Sequence, residues 1–184
     1  TPIVFMPPLL FLNRPIEWLK LISQHKGTVS FAPNFAYGLC AARVRNEGLE
    51  GIDLRSWRVA GCGAEPIEHE TLSQFGRRFR DVGFREKAFL PAYGMAESTL
   101  AITFSELDTG ITTDSVLRRS LCEEGRAVPS SPESQDHLTY VSCGKPFPGH
   151  QLAVVDESGS PLVERRVGEI IVRGPSVMKG YYNN

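Results

Sequence analysis

Residues 58–93 read RVAGCGAEPIEHETLSQFGRRFRDVGFREKAFLPAY, two short apolar runs flanking one amphipathic stretch. The first run, 58–61, has the composition of a short buried strand. Pro66 suits a first helical turn, with Glu68 and Glu70 near that end and Arg77, Arg78 and Arg80 near the other, as the helix dipole favours. Ile67, Leu72, Phe75, Phe79 and Val82 form one apolar stripe, so the spacing predicts a helix over 66–82 that Gly83 can end. Residues 87–93 return to a strand. Upstream, 28–32 (Thr-Val-Ser-Phe-Ala) reads as another strand, rich in β-branched and aromatic side chains. Before it, Pro15 opens a predicted helix over 15–25, with Ile16, Leu19 and Ile22 on one face and Trp18 and Leu21 widening it. Strand and helix in alternation predict an α/β fold, a partly parallel sheet flanked by helices.

The pattern changes near residue 105. Residues 105–137 are polar, with Pro129, Pro132 and several serines, interrupted by one helical candidate at 114–121. A long surface loop explains this stretch, and its length alone also fits a functional insertion. From 138 onward short strands and turns dominate; 151–155 and 169–173 read as strands joined through the turn-rich 156–161. The expected organisation is an α/β part over 1–104, a polar region over 105–137 and an antiparallel β part over 138–184.

The 184 residues suffice for one substantial domain or two small ones, and 41% hydrophobic with 22% charged residues is ordinary for a globular protein. A net charge of -1 gives no footprint for nucleic acid. Cys40, Cys62, Cys122 and Cys143 are too scattered for a zinc site or a disulfide framework, and reduced thiols in the cytoplasm are expected. No apolar run approaches the roughly 20 residues that span a bilayer, so no stable membrane insertion is expected. No charged-then-apolar leader opens the chain. Both ends read like the middle of a protein, and an internal segment is expected.

Three stretches carry candidate chemistry. In Leu90-Pro91-Ala92-Tyr93-Gly94-Met95-Ala96-Glu97-Ser98 a strand ends at a Tyr-Gly turn, with an acid three residues after the glycine. Ligands of open α/β sheets collect at the carboxyl ends of strands. Tyr93 offers a flat face for a base, Gly94 lets the backbone approach closely, and Glu97 is a hard oxygen donor suited to magnesium. A strand-turn with a surface glutamate explains the same residues. In Val59-Ala60-Gly61-Cys62-Gly63-Ala64-Glu65-Pro66 a strand enters a small-residue loop before a helix N-terminus, where backbone amides can meet a flat or anionic ligand. A tight turn explains it equally, and no Gly-Lys-Ser/Thr phosphate loop is present. The third stretch, 167–182, combines a strand with two glycine turns and reads as structural.

In this order and at roughly this spacing the three resemble the adenylate-forming superfamily of acyl-CoA synthetases, luciferases, nonribosomal adenylation domains and fatty acyl-AMP ligases. Finer features resemble the fatty acyl-AMP ligases. These are Pro33-Asn34-Phe35-Ala36-Tyr37-Gly38-Leu39-Cys40, Ala96 where relatives carry threonine, Val141-Ser142-Cys143-Gly144-Lys145-Pro146 and Arg173-Gly174-Pro175-Ser176-Val177-Met178. The resemblance implies an N-terminal-domain segment of an enzyme that joins a fatty acid to AMP from ATP and passes the acyl group to an acyl carrier protein. The pathway would be a polyketide, nonribosomal or lipid one.

By the same resemblance Glu97 is the catalytic acid and the magnesium ligand. Gly61, Gly63, Ala64, Glu65 and Pro66 border the adenine, alongside Ala92, Tyr93, Gly94, Met95 and Ala96, with Tyr93 stacked on the base. Phe31, Asn34 and Phe35 are substrate-side candidates for the acyl tunnel, Met95 a further one, and core packing explains each of them equally. Residues 105–137 sit where the family carries an insertion that restrains its C-terminal domain and disfavours coenzyme A as acceptor; 138–184 would begin a β-barrel-like subdomain. The phosphate loop, the ribose-binding aspartate and the catalytic lysine of the family lie outside these 184 residues. His25, His69, His137 and His150 fall on surface-like stretches and receive no catalytic role. The rival readings are a long-chain acyl-CoA synthetase, separated by thiol preference, and a non-catalytic adenylate-forming-like module that binds lipids or partners, against which the intact Tyr-Gly-x-x-Glu core argues.

Overall fold

A computed structural model describes residues 2–183; Thr1 and Asn184, the expected ends of an internal segment, lie outside the described residues. The chain forms two compact units. The first comprises the chain up to Pro91 with Ser105–Ile111, and the second comprises Ala92–Phe104 with the chain from Thr112 onward.

In the first unit, α1 (Pro8–Asn13) and α2 (Ile16–His25) precede β1 (Val29–Ala32). Helix α3 (Asn34–Arg43) leads toward β2 (Val59–Cys62), and α4 (His69–Phe79) connects β2 to β3 (Phe89–Gly94). The three strands pair in parallel, Val29 opposite Val59 and Ala60 opposite Phe89. All four residues of β2 are buried, as a strand covered on both faces requires. The α/β expectation with a partly parallel sheet therefore describes the fold.

The helix predicted over 66–82 begins later and ends earlier. Residues 66–68 stay extended, with Glu68 as N-cap, and Arg80–Val82 tightens into a 3-10 turn closed by Gly83 at φ 92°. The delay has a visible cause: Asn34 Oδ1 accepts the Glu68 N–H at 3.1 Å and holds the approach to α4 out of helical geometry. The Pro33–Cys40 motif, read above only as a resemblance, opens α3.

The core of this unit is aromatic. Trp57, Tyr37, Phe75, Phe79 and Phe89 are fully buried, joined by Trp18 and Phe84. Trp18 and Trp57 meet edge to face at 5.1 Å, Tyr37 and Phe75 at 5.0 Å, and Trp57 and Phe84 at 5.3 Å. Burial of each such ring stabilises by about 1.5–3 kcal/mol, and favourable ring geometry adds roughly 0.5–1.5 kcal/mol per pair. Their polar tips are satisfied: Trp18 Nε1 donates to Ser30 Oγ (2.9 Å), Trp57 Nε1 to the Val59 carbonyl (2.8 Å), and Tyr37 Oη to the Gly61 carbonyl (2.8 Å).

In the second unit, Ala92–Gly94 of β3 pairs antiparallel with β4 (Ala101–Phe104), and the register shifts between Tyr93 and Gly94. β5 (Thr113–Leu117), α5 (Arg118–Glu124) and β6 (His137–Val141) follow, then β7 (Lys145–Pro146) beside β4. β8 (Gln151–Val155) and β9 (Glu169–Arg173) form an antiparallel pair, as expected. The helix expected at 114–121 is corrected. Thr113–Leu117 is a strand paired residue for residue with His137–Val141, and helix starts only at Arg118. The ladder buries Val116 and satisfies its backbone, which a short isolated helix could not do. The polar stretch 105–137 thus contributes its first seven residues to the first unit and the remainder, a strand and a helix included, to the second. Among the described residues no helix is long and apolar enough to cross a membrane.

Candidate functional site

The predicted site residues fall in both units, and each set has its own geometry. In the first unit β2 ends at the buried Cys62, and Gly63–Pro66 emerges toward the surface. A Cβ at Gly61 would lie 2.1 Å from Phe31 Cδ1, so the Phe31 ring rests directly on the β2 backbone and any larger residue there would displace it. The Gly61 carbonyl is held by Tyr37 Oη, whose phenol burial pushes well above its ordinary pKa. Ala64 sits at φ 69°, a left-handed conformation that costs a residue bearing a Cβ about 1 kcal/mol or more.

The next residue anchors the loop. Glu65 Oε1 accepts the Phe35 N–H at 2.6 Å. Asn34 is buried with its Oδ1 on Glu68, whereas Phe31 and Phe35 are half exposed, 51% and 50%. Gly61, Gly63, Ala64, Glu65, Phe31, Asn34 and Phe35 are thus brought into one neighbourhood.

In the second unit the β3 strand ends at Gly94, where a Cβ would lie 1.8 Å from the Leu100 carbonyl oxygen, so only glycine fits. The register shift at this point lets the chain turn from Met95 into a 3-10 turn, Ala96–Ser98, that displays Glu97. Ala92, Tyr93 and Met95 are half-buried and Ala96 is exposed.

The third motif packs along this turn. The Met178 N–H donates to the Glu97 carbonyl at 2.7 Å, Thr99 Oγ1 donates to the Ser176 carbonyl at 3.2 Å, and Tyr181 Oη donates to the Glu97 carboxylate. The Tyr181 hydrogen bond holds the Glu97 carboxyl below its ordinary range, and the same contact raises the Tyr181 phenol. Glu97 is therefore an anion at neutral pH with one oxygen engaged. Residues 167–182, read from the sequence as structural, deliver one backbone contact and one side chain to the acid, and a second backbone contact to Thr99 just beyond it. Tyr181 is the partner of Glu97 that sequence reasoning missed. Its only signal was its place directly after Gly180, near the end of that third stretch.

His150 is corrected from its surface assignment. It is half-buried, its Nε2 lies 2.7 Å from Ser176 Oγ, and Gly174 has no Cβ because one would lie 2.1 Å from the imidazole Cδ2. It supports the strand leading to Ser176 and Met178.

A divalent ion can be tested against this donor set. Among the described residues no group of three or more His, Cys, Asp or Glu converges. A single ionised carboxylate matches magnesium, which takes one or two protein carboxylates and draws its other ligands from phosphate and water. It does not match an ion that needs a cage of protein ligands.

A family model described as AMP-binding enzyme matches residues 1–182. The chain is 39% identical over 189 residues to the medium-chain fatty acid–acyl carrier protein ligase JamA of Moorena producens, covering 99% of this chain and 31% of that protein. It is 36% identical over 184 residues to the corresponding ligase TtuA of Teredinibacter turnerae, covering 100% of this chain and 28% of that one. Among solved structures, a fatty acyl-adenylate ligase from L. pneumophila in complex with acyl adenylate and pyrophosphate matches with a TM-score of 0.91 at 38% identity, covering 97% of this chain and 31% of that chain. The chain thus spans less than a third of the length of these relatives.

Proposed function

The chain belongs to the AMP-binding enzyme family, and from that premise we propose that it is a segment of a fatty acyl-AMP ligase, with ATP and a fatty acid as substrates and an acyl carrier protein as acceptor. The observation that carries the reading is Glu97, placed just past the end of a sheet strand by the turn that follows Tyr93-Gly94 and held as an anion by the Tyr181 hydroxyl.

In the proposed reaction a fatty carboxylate oxygen attacks the α-phosphorus of ATP. The new O–P bond forms as the bond from that phosphorus to the bridging oxygen breaks, and pyrophosphate leaves with the electron pair. Such chemistry depends on positioning and charge neutralisation rather than a covalent protein intermediate. Tyr93 presents its ring to the adenine, and Gly94 permits close backbone approach. The Gly61–Pro66 loop borders the base, with the Glu65 carboxylate turned to Phe35. Phe31 and Phe35 offer apolar surface to the acyl chain in the first unit, where Asn34 is a further candidate; Met95 is a separate candidate in the second unit. Magnesium, when bound, offsets phosphate charge, and Glu97 is the residue that would hold it. Tyr181 keeps that carboxylate ionised and oriented. The four free thiols agree with a cytoplasmic enzyme.

The acyl group then passes to the phosphopantetheine thiol of a carrier protein. The two relatives named as carrier-protein ligases support that acceptor. The test is Glu97→Ala in the full-length ligase that carries this segment. Pyrophosphate release dependent on fatty acid should fall by about 100-fold or more, with the melting temperature retained. Release at the wild-type rate refutes the role of Glu97.

A further inference from the structure

Glu65 lies among the residues expected to border the nucleotide, yet its carboxylate is already engaged 30 positions away in sequence, on the Phe35 N–H. Three residues later the contact is returned, because the Glu68 N–H donates to Asn34. Helix α3 begins after Pro33, which has no side-chain acceptor, so the Phe35 N–H is one of the unsatisfied donors of a helix start. Helix α4 begins after Glu68, again without a side-chain cap of its own. The start of α3 therefore takes its acceptor from the approach to α4, and the approach to α4 takes its acceptor from the first turn of α3. One turn further on the helices are already in close contact: a Cβ at Gly38 would lie 3.2 Å from Thr71 Cγ2. Immediately before the first of these anchors Ala64 holds a left-handed backbone that a β-carbon disfavours, so the loop does not keep its shape by local preference.

The geometry points to Glu65 as a positioning residue, whose carboxylate caps α3 at Phe35 and so locks the nucleotide loop to the acyl-facing start of that helix. The inference rests on the ligase reading for what the two elements bind, while the clasp itself is a property of this unit alone. A negative acceptor at a helix start is favoured by the dipole as well as by the hydrogen bond. Its loss displaces both elements together, and recognition of ATP and of the fatty acid should weaken in parallel.

The experiment compares Glu65→Ala and Glu65→Gln with the unmodified full-length ligase, by steady-state pyrophosphate release and by hydrogen exchange of a peptide covering 33–40. E65A should raise KM for both ATP and fatty acid about tenfold, with kcat within about threefold, and should speed exchange of the peptide. E65Q keeps a carbonyl oxygen for the Phe35 N–H and should return both KM values to within about twofold of the unmodified enzyme, with normal exchange. If E65A does not fold, Glu65→Asp, one methylene short, should reproduce the paired KM increase that E65Q lacks. An increase confined to the KM for ATP, an E65Q variant as impaired as E65A, or unchanged kinetics overturns the inference. An unmodified enzyme that releases no pyrophosphate instead overturns the ligase reading. The exchange comparison then still judges the clasp, which stands if E65A exchanges faster and E65Q does not, and falls otherwise.

Discussion

Asp53 illustrates how single residues set local behaviour away from the site. Its carboxylate accepts the Arg55 backbone N–H at 3.0 Å, Arg55 Nε at 2.9 Å and Nη2 at 2.8 Å, with Lys26 Nζ at 3.6 Å. The Arg55 hydrogen bonds hold its carboxyl far below the usual carboxylate range. A folded pKa below the unfolded one means that folding favours the charged form. The stabilisation is complete above the unfolded value of about 3.9 and is lost as pH falls toward the folded value. Asp53→Asn should therefore lower the melting temperature by an amount that is constant from neutral pH to about pH 5 and shrinks as pH drops below about 4. Melting curves of both proteins from pH 2.5 to 7 check this, and a difference independent of pH contradicts it. Glu97 obeys the same sign with Tyr181 as partner, so acidification should weaken that contact too.

At the scale of elements, the β5–β6 pair and α5 are held to the connection between β8 and β9. Arg165, itself at φ 64°, donates from Nη1 to the Ala127 carbonyl at 3.0 Å and pairs with Asp114 at 3.1 Å. Its own carbonyl accepts the Ala127 N–H at 3.0 Å, and the Val167 N–H donates to the Gly125 carbonyl at 2.9 Å. Two of these four contacts run backbone to backbone, and the other two depend on the Arg165 side chain. We propose that this anchored stretch is the insertion that disfavours coenzyme A. Removing 118–136 and rejoining β5 to β6 in the full-length ligase should raise acyl-CoA formed relative to acyl-AMP about fivefold or more, and Arg165→Ala should move the ratio in the same direction. Product ratios measured with coenzyme A present decide it; an unchanged ratio in the deletion counts against the insertion reading. That a strand precedes α5 was not legible from residues 113–117, because Thr-Asp-Ser-Val-Leu becomes a strand only through partners 20 to 28 positions away.

Across the whole molecule the four thiols report where the packing is dense. Cys40 and Cys62 are buried, Cys143 is half-buried and Cys122 is exposed on α5. Burial pushes the Cys40 thiol up to about 12 and raises Cys143 as well, so neither is a ready thiolate near neutral pH. A chromogenic disulfide reagent at pH 8 should react fast with one thiol, slower with a second, and with all four only after denaturation. Cys122→Ser should abolish the fast phase. A fast phase that survives that substitution would mean that the core around Cys40 and Cys62 opens readily.

The sequence by itself determined the alternating α/β order, the parallel strands and the three motifs, since apolar periodicity and glycine-bounded turns act over a few neighbouring residues. Only the tertiary structure decided that α4 waits until His69, that the last motif touches Glu97 through Tyr181, and that Glu65 turns its carboxylate to Phe35. Each of those outcomes is a hydrogen bond between groups 30 or more positions apart, and no local preference of either partner encodes it.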